Sequence, residues 1–273
     1  MITLFHLSDL HFGPKFNARL AELILQDVYA AKPDLTILSG DFTMRGRVEE
    51  YKQARAYLEQ LPKPIFTIPG NHDQPLGMTV GVLWERMTTP WKNYQKHIHK
   101  VVDASFEMAG VFAVGVNSNH PVLPGGIWSS KQRAFIENEF RRAPNDACKI
   151  FVTHHHLEWN NNYRPFGTWF PTAQLNWLDK LGVELILNGH THVPLTTQTA
   201  QGIVIAQAGT SMSGRVRHGH GNAYNRIVIQ PDALTIQIMG YDVDADRFVP
   251  RSEKIFPRHP SPVTFPRSNL HEH

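Results

Sequence analysis

The sequence predicts an α/β protein built on a largely parallel sheet, for three reasons. The first seventy residues alternate short apolar runs with amphipathic stretches in the order β-α-β-α-β. With 273 residues, 41% of them hydrophobic, the chain can bury a sizeable core. Polar motifs follow several of the apolar runs and spread from residue 9 to residue 192, so a split into two domains would separate them. We therefore expect one domain over residues 1–245, with residues 246–273 as a proline-rich tail or arm.

Residues 2–8 (ITLFHLS) read as a buried strand. Residues 17–31 place Leu20, Leu23, Ile24 and Val28 at helical spacing. Leu35 to Leu38 is a second strand, Val48 to Leu61 a second helix, and Pro64 to Ile68 a third strand. Residues 79–99 carry Val80, Leu83, Trp84, Met87, Trp91 and Tyr94, broken by Pro90, and favour a helix packed on the sheet over an apolar substrate groove. Residues 101–108 and 111–116 read as paired strands about Ala109-Gly110. A helix over 129–142 has Ser129 or Ser130 as its N-cap. Strands at 150–153 and 183–187 bracket an aromatic loop (157–170) and a short helix from Pro171 to Leu181. Beyond His192 the pattern is strands only, near 195–199, 203–208, 223–230 and 233–240, which suggests a closing antiparallel sheet.

Lys and Arg number 27 against 24 Asp and Glu, a net charge of +3 with histidine neutral. That mild balance, without a basic run, gives no case for nucleic acid. The single cysteine, Cys148, excludes an internal disulfide and any cysteine-based metal site. The N-terminus lacks a basic leader, and no apolar stretch approaches the roughly 20 residues of a membrane span, so a cytoplasmic location is expected.

Seven side chains in short motifs stand out as metal ligands: Asp9, His11, Asp41, Asn71, His154, His190 and His192. They come from D-L-H (9–11), G-D (40–41), G-N-H-D (70–73), T-H-H-H (153–156) and G-H-T-H (189–192). Residues two apart share a face of a strand, so Asp9 and His11 form one pair and His190 and His192 another. His6, of opposite parity, is expected in the core or behind the ligands. Glycines 40, 70 and 189 each precede a ligand, where a tight turn or close approach is needed. Imidazole with carboxylate suits Mn, Fe, Zn or Co better than Mg or Ca. A carboxylate has two oxygens, so one aspartate can bridge two ions about 3.5–4 Å apart that together clamp a phosphate ester.

In this order the motifs resemble the calcineurin-like metallophosphoesterase superfamily over about residues 1–230, and most of all its bacterial cyclic-nucleotide phosphodiesterase branch. The resemblance implies a four-layer αββα sandwich with a dimetal site at the sheet edge. It implies that Asp9, His11 and His192 hold one metal, that Asp41 bridges, and that Asn71, His154 and His190 hold the second. His72 becomes the catalytic histidine and Asp73 the residue that positions it. This chain has His154-His155-His156-Leu157 where the family shows two histidines and a proline, so the ligand is His154 or its neighbour His155.

The expected activity is hydrolysis of a small phosphodiester, cyclic AMP first, by attack of metal-bound hydroxide with two divalent or trivalent transition-metal ions. Alternatives are a lipid pyrophosphatase similar to UDP-diacylglucosamine hydrolases, a broad phosphomonoesterase, and, in a different class, an inactive scaffold of the same fold. Oligomers through the C-terminal arm are a further expectation. Residues 209–225, with Arg215, Arg217, His218 and His220, read equally as a substrate-reaching loop or a solvated one. Trp159, Tyr163, Phe166, Trp169 and Phe170 either roof the site or cover core.

Overall fold

A computed structural model describes residues 1–77, 79–157, 166–217 and 219–258. Two six-stranded mixed sheets face each other. The first has the order β12-β11-β10-β1-β2-β3, and the second β4-β5-β6-β7-β9-β8. In chain order, β1 is Ile2–Leu7, α1 Ala18–Ala31, β2 Leu35–Leu38, α2 Val48–Leu58 and β3 Ile65–Thr67. There follow α3 Val80–Thr88, α4 Lys92–His97, β4 Ala104–Met108, β5 Val111–Gly115, α5 Ser130–Arg142 and β6 Cys148–Val152. The remainder is α6 Pro171–Lys180, β7 Leu185–Asn188, β8 Leu195–Gln198, β9 Val204–Gln207, β10 Ala223–Ile229, β11 Ala233–Asp242 and β12 Arg247–Pro257.

Period-two patterning builds the layers. In β5, Val111 and Ala113 face the other sheet while Phe112 and Val114 face helices; β7 divides Leu185 and Leu187 from Ile186 in the same way. Leu4, Ile37, Ile150 and Leu187 meet between the sheets. Leu20, Ile24, Tyr51 and Leu58 of α1 and α2 cover Phe5, Leu7 and Leu38 on the outer face of the first sheet. Ile136 and Phe140 of α5, with Leu175 and Leu178 of α6, cover the second. The result is the expected αββα sandwich. Asn17 caps α1 by accepting from Arg19 N at 3.0 Å, and Ser129 caps α5 by accepting from Gln132 N at 3.3 Å.

Strands β1, β2 and β3 run parallel, as do β5, β6, β7 and β9. Their carboxyl ends therefore open on one edge, where ligands of α/β sheets bind.

Three expectations are corrected. The late strands do not form one antiparallel sheet: β8 and β9 extend the second sheet, with β9 parallel to β7, while β10 to β12 extend the first. Residues 247–257 are an edge strand, antiparallel to β11, rather than a tail. Pro250 fits there because an edge strand has a side that needs no ladder donor, and the register shifts beside it, at Ile238/Met239. Residues 259–273 lie outside the described residues. Helix α3 packs no buried residue against the sheet; Trp84 is 71% and Met87 58% exposed. No helix among the described residues is long and apolar enough to cross a membrane.

Candidate metal centre

Each motif leaves the end of a parallel strand, but not in the extended form that strand parity assumes. Asp9, His11, Asp41, His190 and His192 all take left-handed backbone, with φ between 49° and 74°. Such conformations are sparsely populated by non-glycine residues and persist only where surroundings enforce them. The loops supply that enforcement by holding one another: Asp9 N donates to Gly40 O at 3.0 Å and His11 N to Asp41 O at 2.9 Å. His190 N donates to Asp9 Oδ2 at 3.0 Å, and His72 N to Asp41 Oδ1 at 2.8 Å. Gly70 and Gly189 let these loops touch; a Cβ on Gly70 would overlap the Asp41 carboxylate, and one on Gly189 would overlap Ser8 and the Asp9 carboxylate.

Asp9, His11, Asp41 and His192 bring one ligand atom each within 4.8 Å of one another, all buried. Three imidazoles are oriented by backbone carbonyls. Nδ1 of His11 donates to Thr43 O at 3.2 Å, that of His192 to Arg215 O at 2.7 Å and that of His154 to Ser39 O at 2.8 Å. Each ring then aims Nε2 inward. The Nε2 atoms of His11 and His192 face one another at 3.0 Å, and Asp9 Oδ1, which accepts no hydrogen bond, lies 3.1 Å from the latter. Facing lone pairs beside a bare carboxylate oxygen are a donor set that fits a cation.

A second group adjoins through Asp41. His154 Nε2 lies 3.4 Å from Asp41 Oδ2 and 3.1 Å from Asn71 Oδ1, which is itself 3.0 Å from His190 Nδ1. His155 turns the other way, with Nδ1 2.8 Å from Ser118 Oγ. All seven predicted side chains thus converge, with His154 rather than His155 facing Asp41. His6 lies buried between the sheets, its Nε2 2.9 Å from Ser39 Oγ and its Nδ1 3.1 Å from the Asn225 amide.

The electrostatics follow from burial among opposite charges. Burial raises the Asp9 carboxyl, yet His192, His11 and His154 together hold it well below the usual carboxylate range. Burial lowers the His154 imidazole, and the Asp41 carboxylate overrides this to bring it to about 9. Without a metal the centre therefore holds protons that a metal would displace.

His72 sits at the rim. Its Nδ1 donates to Met44 O at 2.7 Å, and its Nε2 lies 3.1 Å from Nη1 of Arg215. Burial lowers this imidazole to about 4 despite the nearby Asp41 carboxylate. Asp73 does not touch the His72 ring in any hydrogen bond among the described residues. Its carboxylate instead accepts from Gly70 N at 2.8 Å, Thr43 N at 2.9 Å and Phe42 N at 3.2 Å, tying the 70–73 turn to the 40–43 loop.

Sequence reasoning missed the carbonyls of Ser39, Thr43 and Met44 that orient the rings. Backbone oxygens carry no residue signature. It also missed Asn119 and Arg86, which line a cavity of about 230 Å³ beside Asn71 and His190. The 209–225 loop divides: Arg215 reaches the site, and His218 lies outside the described residues. Phe166, Trp169 and Phe170 are exposed; Trp159 and Tyr163 lie outside the described residues.

The calcineurin-like phosphoesterase family model matches residues 2–194. The chain belongs to this family. A probable glycerophosphodiester phosphodiesterase from Arcobacter nitrofigilis is 28% identical over 123 residues, covering 45% of this chain and 42% of that protein. The chain thus spans less than half the length of that relative. A probable cyclic nucleotide phosphodiesterase from Rhodococcus erythropolis is 24% identical over 222 residues, covering 76% of this chain and 70% of its own. A dimetal phosphatase from Danio rerio superposes with a TM-score of 0.64 at 12% identity, over 94% of this chain and 98% of that one, which shows the calcineurin-like fold.

Proposed function

We propose that the chain is a dinuclear metal-dependent phosphodiesterase, with cyclic AMP as the first substrate to try. The observation that carries this reading is the double donor set sharing Asp41: Asp9, His11 and His192 on one side, Asn71, His154 and His190 on the other. Relatives named as phosphodiesterases support the diester over a monoester. Two transition-metal ions, Mn, Fe, Zn or Co, when bound there would polarise the phosphate and supply a nucleophile at neutral pH.

The chain's own residues do the rest. Asp41 Oδ1 accepts from His72 N, which fixes the carboxylate with Oδ2 facing both His11 and His154, so this residue would be shared between the two donor groups. In the free site the His72 ring is neutral, and its Nε2 accepts from Arg215. An anionic phosphate arriving at this point draws the guanidinium to itself and favours the charged imidazole, which then donates from Nε2 to the leaving oxygen. Asp73 serves as a positioning residue by fixing the backbone that carries His72 and Asn71.

A lipid-linked pyrophosphate diester is the second reading. It rests on α3, which exposes Trp84 and Met87 and places Arg86 in the lining of the cavity beside Asn71. A groove of Trp84, Met87 and Trp91 would favour this reading; Trp84 and Met87 are exposed, while Trp91 is half-buried against the core. The deciding experiment is hydrolysis by manganese-loaded protein of cyclic AMP, UDP-diacylglucosamine and bis(p-nitrophenyl) phosphate. Turnover of cyclic AMP supports the first reading. Turnover of the lipid alone replaces it with the second, and no turnover of any diester with Mn, Co or Zn overturns both.

A further inference from the structure

Beyond His72, away from Asn71, an open cleft of about 560 Å³ is lined by Lys15, Arg45, Arg47 and Arg215. Its remaining described lining (Met44, His72, Leu76 and Gly77) contains no acid. Several exposed arginines elsewhere find carboxylates: Arg19 with Glu22 and Asp246, Arg55 with Glu59, Arg142 with Glu139, Arg251 with Asp242. Lys15, Arg45 and Arg47 have no ion pair with any described residue. Of the acids that follow in sequence, Glu49 pairs with Lys52 at 2.7 Å, and Glu50 is buried and turned inward, accepting from Arg45 N at 2.7 Å and Arg47 N at 3.3 Å. Three cations held in one concavity without counter-charge repel one another, and an oxyanion seated among them relieves that repulsion. The opposite flank differs. Around Asn71 and His190 the described lining has a single arginine or lysine, Arg86, among Val122, Leu123 and Phe166.

We infer that the cleft of Lys15, Arg45 and Arg47 is a second anion subsite, and that the substrate is a phosphodiester whose alcohol portion carries a separate phosphate. The inference rests on the phosphodiesterase reading but not on cyclic AMP, which has no second phosphate. The reacting diester lies at the seven-ligand centre, Arg215 and His72 mark the junction, and the second phosphate extends into the basic cleft. The less charged portion of the diester lies toward Leu123 and Phe166.

A matched pair of chromogenic esters tests this: thymidine 5′-(p-nitrophenyl phosphate), and the same compound bearing a 3′-phosphate. With manganese-loaded protein the 3′-phosphorylated ester is expected to show a kcat/KM at least tenfold higher. The K15Q/R45Q/R47Q triple variant should abolish that preference while changing kcat/KM for the plain ester less than twofold. A binding readout accompanies it: calorimetry on metal-free protein with thymidine 3′,5′-bisphosphate and thymidine 5′-phosphate. The bisphosphate is expected to bind at least tenfold more tightly to the parent and equally to the triple variant. Equal kcat/KM for the two esters with equal binding of the two nucleotides overturns the subsite, as does an equal loss for both esters in the triple variant. If neither ester is cleaved, the phosphodiesterase reading fails, and the binding comparison still decides the cleft.

Discussion

Arg215 serves both halves of the rim at once. Its guanidinium lies 3.1 Å from Nε2 of His72, while its carbonyl accepts from Nδ1 of His192 at 2.7 Å. Side chain and main chain are separable, which gives the first prediction. Arg215→Ala keeps the carbonyl, so metal content measured by elemental analysis stays at the parent level, but turnover of bis(p-nitrophenyl) phosphate drops about 100-fold, the effect typical of losing one preorganised donor. Loss of metal along with activity would place the side chain in folding of the loop instead.

Asp41 lies within 3.6 Å of His11 and 3.4 Å of His154. Asp41→Ala is expected to lower turnover more than 100-fold, as is Asn71→Ala, with circular dichroism unchanged. Activity near the parent level in either variant contradicts the shared-carboxylate arrangement.

Chelation should also be visible without any substrate. A cation bound by the folded centre and not by the unfolded chain adds about 2.7 kcal/mol at one hundred times its Kd. For a domain of this size that corresponds to a melting temperature roughly 5–10 °C higher. Calorimetric scans with excess EDTA and with manganese measure it; coincident transitions would show that the donors hold no ion.

Stability should fall in acid partly through His6. Burial pushes this imidazole down to about 3 in spite of the Asp9 charge, from an ordinary value of 6.5. Between those values the unfolded chain binds a proton that the folded one refuses. The contribution is complete above about pH 6.5 and is lost as pH falls toward 3, with a slope of about 1.4 kcal/mol per pH unit. Denaturant titrations of metal-free protein at pH 6.5 and 5 should show this slope reduced in His6→Asn; an unchanged slope removes His6 from the acid limb.

The convergence of the seven candidate side chains was legible because their residue types are rare in such combination and each motif follows a buried run. The two central apolar faces were legible from alternation, as in Leu185, Ile186 and Leu187. Strand parity, in contrast, does not explain how Asp9 and His11 converge: β1 ends at Leu7, and left-handed backbone does the aiming. Pro250 and Pro257 made residues 247–257 resemble a tail, because local propensity does not reveal that a sheet edge is available. Trp84 and Met87 read as core because apolarity at helical spacing does not reveal whether a partner surface exists. Arg45 and Arg47 flank Gly46 a few residues after Asp41, a cue that only becomes meaningful once the fold shows what they face.

The left-handed backbone at five candidate ligands sets chemistry against durability. Glycine would adopt these dihedrals with less steric opposition than aspartate or histidine. A laboratory selection that rewards heat resistance alone, in metal-free medium, should drift toward glycine at positions such as 41 and 192 and return sturdier, inert proteins. A selection that rewards turnover should hold those side chains and seek its gains elsewhere, in the helix layers far from the sheet edge.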